Sequence, residues 1–125
     1  MENIFNQKVI DCLLKQASEA PRKRVNMDLR NGVSDLSQRM INALMPETVV
    51  PIHRHEDTSE TVICLCGKLE EIFYEPINED MTKFKETERF LLCPVEGNYG
   101  IQIPKGVWHT IEVKEPSVIF EAKDG

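Results

Sequence analysis

Apolar residues near the N-terminus of this chain recur with the spacing of an amphipathic helix. The apolar stripe occupies positions i, i+3, i+4 and i+7, namely Ile10, Leu13, Leu14 and Ala17. Because proline cannot continue a helix, Pro21 limits it, and the pattern predicts one helix over residues 3–19. Asn3 and Asn6 are both suited to cap its first turn. We expect this helix to pack on the outside of the domain.

From residue 25 onward, apolar residues alternate with polar ones, which is the period of a β-strand with one buried face. Asn31-Gly32 is a strong hairpin signal, and Gly67-Lys68 is predicted to turn the chain between two strands. Many short strands separated by turns about every 8–12 residues favour an all-β sandwich or barrel. The predicted strands cover residues 25–30, 39–45, 49–54, 61–66, 69–74, 84–92, 101–103, 107–113 and 117–122.

Length and charge narrow the class of protein. The 125 residues fit one domain, which we expect to comprise residues 25–125, with residues 1–24 as an N-terminal helix and linker packed on it. The net charge is −6, and nucleic-acid binding is not expected because phosphate contacts need a basic surface. No apolar run approaches the ~20 residues that span a bilayer. Residues 1–7 also lack a signal-peptide pattern, so a cytoplasmic protein without a membrane partner is predicted.

The spacing of the cysteines is compatible with a cytoplasmic protein. Cys64 and Cys66 are two residues apart in an apolar run, so on a regular strand their side chains would point the same way. No second pair completes a zinc-binding pattern. We therefore expect buried, reduced thiols, as is usual for cytoplasmic proteins.

The histidines carry the strongest chemical signal. The chain has only three, and His53 and His55 alternate on one predicted strand, so both imidazoles can face one centre. Glu60 follows at the start of the next predicted strand, and His109 follows a Pro-Lys-Gly turn much later in the chain. H-x-H alone often occurs by chance. Here, however, all three histidines of the chain fall in one pattern with a carboxylate, which indicates a metal site. Imidazole and carboxylate ligands suit a divalent transition metal such as Fe, Mn, Ni or Zn.

A second group of residues is suited to bind or transform a ligand. Gln38 and Asn42 share one face of a predicted strand, which forms a polar part of the pocket if it faces inward and an outer edge otherwise. Arginines bind phosphate or carboxylate groups unless surface ion pairs engage them, and the candidates are Arg22, Arg24 and Arg39. The candidate proton-transfer groups are Tyr74, Tyr99 and Glu121.

These motifs resemble those of the cupin superfamily. Residues 53–60, followed by Gly67, resemble the first cupin motif, and residues 104–109 resemble the second. The four ligand positions match, whereas a glycine usual before the first histidine is absent and Val113 replaces a common asparagine. The resemblance implies an all-β cupin fold, a jelly-roll or double-stranded β-helix barrel, with one N-terminal helix. It also implies one metal ion held by His53, His55, Glu60 and His109.

A narrower resemblance extends over nearly the whole chain. Residues 21–26, 38–44, 108–110 and 120–123 resemble segments of the WbuC family, which are small bacterial cupins often encoded with genes for surface polysaccharide synthesis. That family has a histidine where this chain has Arg30. Because the reaction of the family is not established, the resemblance implies a fold and a metal but no substrate.

Three functions are compatible with these observations. The first is a metalloenzyme, an isomerase or oxygenase, that acts on a small polar or anionic metabolite such as a sugar or sugar nucleotide. The second is a non-catalytic, metal-dependent binding protein. The third is a metal-independent sugar epimerase, which would need a free histidine, although all three histidines are assigned to the metal. A homodimer is expected in each case, because a strand-rich chain leaves sheet edges that need cover.

Overall fold

The computed structural model describes residues 3–125, and it contains one helix and six strands. The predicted all-β architecture with an N-terminal helix is confirmed. A short 3₁₀ turn, Pro94–Glu96, precedes the fifth strand. The elements are α1 (Gln7–Glu19), β1 (Arg24–Asp28), β2 (Ser37–Leu44), β3 (Glu60–Pro76), β4 (Phe84–Leu92), β5 (Gly100–Ile103) and β6 (Trp108–Asp124).

The strands form one antiparallel sheet that is not closed within the described residues. Its order is β1-β2-β6-β3-β4, and β5 also pairs with β3. The inner face of the sheet carries an apolar core and a cavity that adjoin each other, since Leu44 and Ile111 contact both. The core residues are Leu44, Val62, Cys64, Leu69, Leu92, Ile103, Val113 and Ile119. No helix in the described part of the chain is long and apolar enough to cross a membrane. The homodimer expected from the sequence stays a prediction.

Helix α1 covers the outer face of β2 and β6. Its buried residues Leu13 and Ala17 pack in one cluster with Ile41, Ala43 and Val118. Neighbouring side chains of a strand point to opposite faces. Because Ile41, Ala43 and Val118 point outward to the helix, the residues next to them on β2 and β6 point inward. The amphipathic helix therefore fixes which face of the sheet lines the cavity.

The helix begins four residues later than predicted because Asn6, rather than Asn3, is its N-cap. The Asn6 side chain accepts a hydrogen bond from the Val9 backbone N–H at 3.2 Å. We expect Asn6→Ala to lower the free energy of unfolding by about 1 kcal/mol, because one N–H group of the first turn loses its partner. Urea denaturation would measure this. Asn3→Ala is the matched control, and an equal loss in both variants would contradict the assignment of the cap.

The predicted turn at Gly67-Lys68 is wrong, because β3 runs through it without a break. Likewise, the two strands predicted over 107–113 and 117–122 are one strand, β6. The two long strands bend together at a series of register shifts between Cys64 and Leu69. Gly67 has φ +96° at this bend, and the Lys68 backbone N–H donates a hydrogen bond to Ser117 Oγ at 3.0 Å. A glycine with positive φ serves a bulge as well as a turn, which the sequence pattern does not distinguish.

The same bend separates the two thiols that regular alternation would place on one side. Cys64 lies in the inner core, whereas Cys66 packs against the cluster under the helix. The register shift between them adds a residue to the strand and so reverses the direction in which the later side chains of β3 face. All four cysteines are free thiols, but only Cys64 and Cys93 are buried, whereas Cys66 is half-buried and Cys12 is exposed, so the prediction of buried thiols holds for two of them. Burial raises the pKa of the Cys64 thiol to about 11.

The strand predicted over residues 49–54 does not form. This segment pairs with β6 only through an isolated bridge between His53 and His109. Pro51 has no backbone N–H to offer to a ladder, which explains why the pairing stays so short. The segment nevertheless brings the first two histidines against β6.

Candidate metal centre

A cavity of about 480 Å³ opens on the inner face of the sheet. It lies between β1, β2, β3, β6 and the segment that precedes β3. Charged and polar side chains dominate one part of its wall, and apolar side chains such as Met40, Leu44 and Ile111 line the rest. The polar residues of the wall include His53, His55, His109, Glu60, Glu71, Glu121, Arg22, Arg24, Asn42 and Lys123.

Backbone hydrogen bonds bring the three histidines together. The backbone N–H of His53 donates to the carbonyl of His109 at 3.0 Å, and that of His109 donates back at 2.8 Å. The Gly106 N–H donates to the His55 carbonyl at 2.7 Å. The segment carrying H-x-H is therefore fastened to the turn and strand that carry the third imidazole. The donor nitrogens of the three rings all lie within 4.8 Å of one another, so the group can hold a metal ion.

Hydrogen bonds from Nδ1 to backbone carbonyl groups fix the orientation of two of the rings. His53 Nδ1 lies 2.8 Å from the Pro51 carbonyl oxygen, and His109 Nδ1 lies 3.0 Å from that of Val107. Because a carbonyl oxygen only accepts, Nδ1 carries the proton in both rings and Nε2 keeps a free lone pair. A ring nitrogen anchored to a backbone carbonyl is the usual support of a metal-binding imidazole.

Glu60, the first residue of β3, lies beside the three histidines. One of its oxygens, Oε2, lies 3.2 Å from His55 Nε2 and 3.9 Å from His109 Nε2, and its side chain is only 8% exposed. Bonds of about 2.1 Å to one ion would place ligand atoms roughly 3 to 4 Å apart. These separations and the mixed nitrogen and oxygen donors therefore fit a divalent transition metal.

The protonation states also suit a metal. Burial lowers the pKa of His109 to about 4. Burial, with the charges of Lys123 and His53, lowers the pKa of His55. Both imidazoles are neutral at pH 7, which is the form that binds metal, so the contact between His55 and Glu60 is not an ion pair. Burial raises the pKa of Glu60, against the opposing effects of His53 and Lys123, because a lone carboxylate is costly in this enclosed place.

Two further carboxyl groups line the cavity, and sequence reasoning identified only one of them. Burial, with the charge of Glu60, raises the pKa of Glu121 to about 7. Glu71, which sequence reasoning missed, is 2% exposed, and burial raises its pKa well above the usual range. Its signal was present in the sequence, since Glu71 lies between Leu69 and Phe73 at the inward-facing positions of a mainly apolar strand.

The structure separates the remaining predicted site residues into two groups. Arg22, Arg24, Asn42 and Glu121 line the cavity with the histidines. The side chains of Gln38, Arg39, Tyr74 and Tyr99 do not line it. Arg39 pairs with Asp35 at 3.1 Å, and Gln38 lies beside it in a separate surface depression. Tyr74 stacks edge-on to Phe84, and Tyr99 is 61% exposed and lies in a different surface depression with Arg89 and Phe90.

Known proteins of similar fold include metabolic and assembly proteins. A cupin-2 domain containing protein from Shewanella frigidimarina NCIMB 400 has a TM-score of 0.55 and 21% identity, covering 79% of this chain and 80% of that chain. The capsular polysaccharide assembling protein CapF from Staphylococcus aureus has a TM-score of 0.63 and 18% identity, and the match covers 80% of this chain and 26% of CapF. An oxalate oxidase solved with the substrate analogue glycolate has a TM-score of 0.61 and 13% identity, and the match covers 86% of this chain and 54% of the oxidase. The chain thus spans about a quarter of CapF and about half of the oxidase.

Sequence comparison adds a family. No curated protein matches the chain, but residues 5–85 match the family model described as "Domain of unknown function (DUF6016)". Because the solved structures share no more than 21% identity with this chain, the similarity shows the fold alone. Membership of the WbuC family stays a prediction. The chain has the cupin fold, and it belongs to the family described as a domain of unknown function, DUF6016.

Proposed function

We propose that this protein binds one divalent transition-metal ion through His53, His55, His109 and Glu60, and uses it to bind and transform a small polar metabolite. The convergence of the three imidazoles carries the proposal. Two of them are held by backbone carbonyls so that Nε2 is free, and a buried carboxylate lies within 4 Å of two rings. Such a cluster has little purpose as packing, because buried polar groups are costly unless they are paired or bind an ion.

The charge of the site favours an oxygen-rich or anionic ligand. Three neutral imidazoles and one carboxylate leave a bound divalent ion with a net charge of about +1. Such an ion, when bound, supplies Lewis-acid polarisation of a coordinated oxygen. Arg22 and Arg24 add positive charge to the cavity wall. Asn42 uses its Oδ1 to accept a hydrogen bond from Asn26 at 2.9 Å, which leaves its amide N–H groups to donate to a hydroxyl.

Glu121 is the group of this chain best suited to move a proton. It shares the cavity with the histidines and is not among the proposed ligands. Its pKa of about 7 lets the carboxyl group both hold and release a proton near neutral pH. We therefore assign it the acid–base role in the proposed reaction.

The substrate that we propose is a sugar or sugar nucleotide, in surface polysaccharide synthesis in the cytoplasm, with the protein as a homodimer. Support comes from the WbuC-like segments and from the fold that the chain shares with CapF, a capsular polysaccharide assembling protein. The cavity is also large enough for a ring with several hydroxyl groups. A metal-independent epimerase is disfavoured, because the three histidines converge on one point and none remains as a free base.

Ligand binding provides the test. We expect sugar phosphates, sugar nucleotides or small carboxylates to raise the melting temperature of the metal-loaded protein, because these ligands match a positive, oxygen-seeking site. Thermal-shift measurements would show this, and the same compounds on chelator-treated protein are the control. Mass spectrometry of a stabilising compound after incubation would then separate an enzyme from a binding protein. Stabilisation by neutral apolar compounds alone would contradict the proposal.

A further inference from the structure

One carboxyl oxygen of Glu71 has no hydrogen-bond partner among residues 3–125. Glu71 is 2% exposed, and the unpaired atom is its Oε2. Leaving a buried polar atom unpaired costs about 1–3 kcal/mol. An apolar side chain at this inward-facing position of β3 would avoid that cost, so the stability of the fold does not explain a glutamate here.

The neighbouring residue shows what a structural glutamate of this strand looks like. Glu70 faces outward, where its Oε1 lies 3.3 Å from Lys114 Nζ and 3.5 Å from Arg89 Nη1. Glu71 faces the cavity, where the charges acting on it are those of two other carboxylates, Glu60 and Glu121. Burial and these charges raise its pKa, which favours the protonated form, and a carboxyl group in either form can hydrogen-bond with a hydroxyl group.

The same cavity also offers free positive charge. Arg22 is exposed and Arg24 is half-buried, and neither forms an ion pair within residues 3–125. Since Arg22 is exposed and Glu71 is only 2% exposed, the arginines lie nearer to solvent than Glu71 does. Arginine side chains bind phosphate strongly through their planar array of donors. A ligand that satisfies both the arginines and Glu71 therefore has an anionic group nearer to solvent and a hydroxyl group inside.

We propose that Glu71 contacts a hydroxyl group of the ligand, and that the cavity selects hydroxylated phosphate esters whose phosphate lies at Arg22 and Arg24. This inference rests on the proposed function, in which the ligand binds beside the metal, and it names the class of ligand. Glu71 is then a specificity-determining residue. A buried carboxyl oxygen without a partner discriminates strongly against a ligand that cannot hydrogen-bond with it.

Two compounds of equal chain length test the role of the hydroxyl groups. Ribitol 5-phosphate and 1-pentyl phosphate both carry one phosphate on five carbons, and only the first has further hydroxyl groups. We expect calorimetric titration of the metal-loaded protein to give tighter binding of ribitol 5-phosphate. In Glu71→Leu we expect this preference to fall about tenfold, because one buried hydrogen bond is lost. Arg22→Gln should weaken binding of both compounds equally.

The matched control is Glu70→Gln, which changes the adjacent residue on the opposite face and should keep the wild-type preference. Glu71→Met is a second apolar variant, and both apolar variants should melt no lower than the wild type. An equal affinity of the wild type for the two compounds would overturn the inference, as would an unchanged preference in Glu71→Leu. Metal content measured on the same samples reports separately on the proposed function, since Glu71 is not a proposed ligand.

Discussion

Replacing His109 with alanine is expected to lower the affinity for divalent metal by at least about 100-fold. Loss of a residue that merely supports a metal ligand costs about 10–100-fold, and loss of the ligand itself removes a bond to the ion. His109 is 3% exposed and takes part in both imidazole and carboxylate contacts of the cluster. We expect the same of His53→Ala. Elemental analysis of protein purified without added metal, followed by calorimetric titration, would measure the loss.

Glu56→Ala is the control for these variants. Glu56 lies one residue beyond His55, but its side chain is 68% exposed and pairs with Arg54 at 2.8 Å. Its removal should leave the metal content unchanged. Equal metal content in the wild type and in both histidine variants would show that the ion binds elsewhere or not at all.

Gly67→Ala is expected to lower the free energy of unfolding by at least about 4 kcal/mol, or to prevent folding. A Cβ at this position would clash with Ser117 Oγ and the Pro116 carbonyl oxygen, and would lie 2.6 Å from Ser117 Cα. Two of these atoms belong to the backbone of β6, which cannot move without breaking its pairing with β3. The φ of +96° adds strain to any side chain there. Urea denaturation, or the yield of folded protein, would measure the effect.

Two other glycines separate the causes. Gly97 also has a positive φ, +84°, but no atom lies within 4 Å of an added Cβ, so Gly97→Ala should cost only about 1–2 kcal/mol of backbone strain. Gly32 has open space around it and no such φ, and its replacement should change stability by less than about 0.5 kcal/mol. A Gly67 variant no less stable than the Gly97 variant would mean that the two long strands are not in close contact at the bend.

The sequence was sufficient to predict the helix, most strands and the histidine cluster. Periodicity reports which face of an element is buried, and the spacing of H-x-H needs only a local extended backbone to bring two rings together. This held even though residues 49–54 form no strand, since His53 and His55 still reach the same cavity. The predicted convergence of the histidines was therefore more robust than the strand from which it was argued.

Features that depend on irregular backbone could not be predicted in this way. The reversal between Cys64 and Cys66 results from register shifts, which change the facing of all later residues of β3. Glu71 was missed because residues 69–74 carry apolar side chains on both faces, so alternation groups Glu71 with Leu69 and Phe73 but does not tell that this set faces inward. Similarly, the sequence does not tell that Arg22 and Arg24 line the cavity while Arg39 and both candidate tyrosines do not, because the distant pairings of β1, β2 and β6 decide that.

The reciprocal backbone hydrogen bonds between His53 and His109 have a consequence for how the site fills and empties. The rings are positioned by hydrogen bonds between groups of the protein itself, in which an ion takes no part. The ordering of the donors is thus completed during folding, and capture of an ion requires no rearrangement of the chain. A chelator should accordingly strip the ion from an intact scaffold, unlike in zinc fingers, where folding and metal binding are one event. Different divalent ions would then compete for one rigid template, and their abundance in the cell would help to decide which one occupies it.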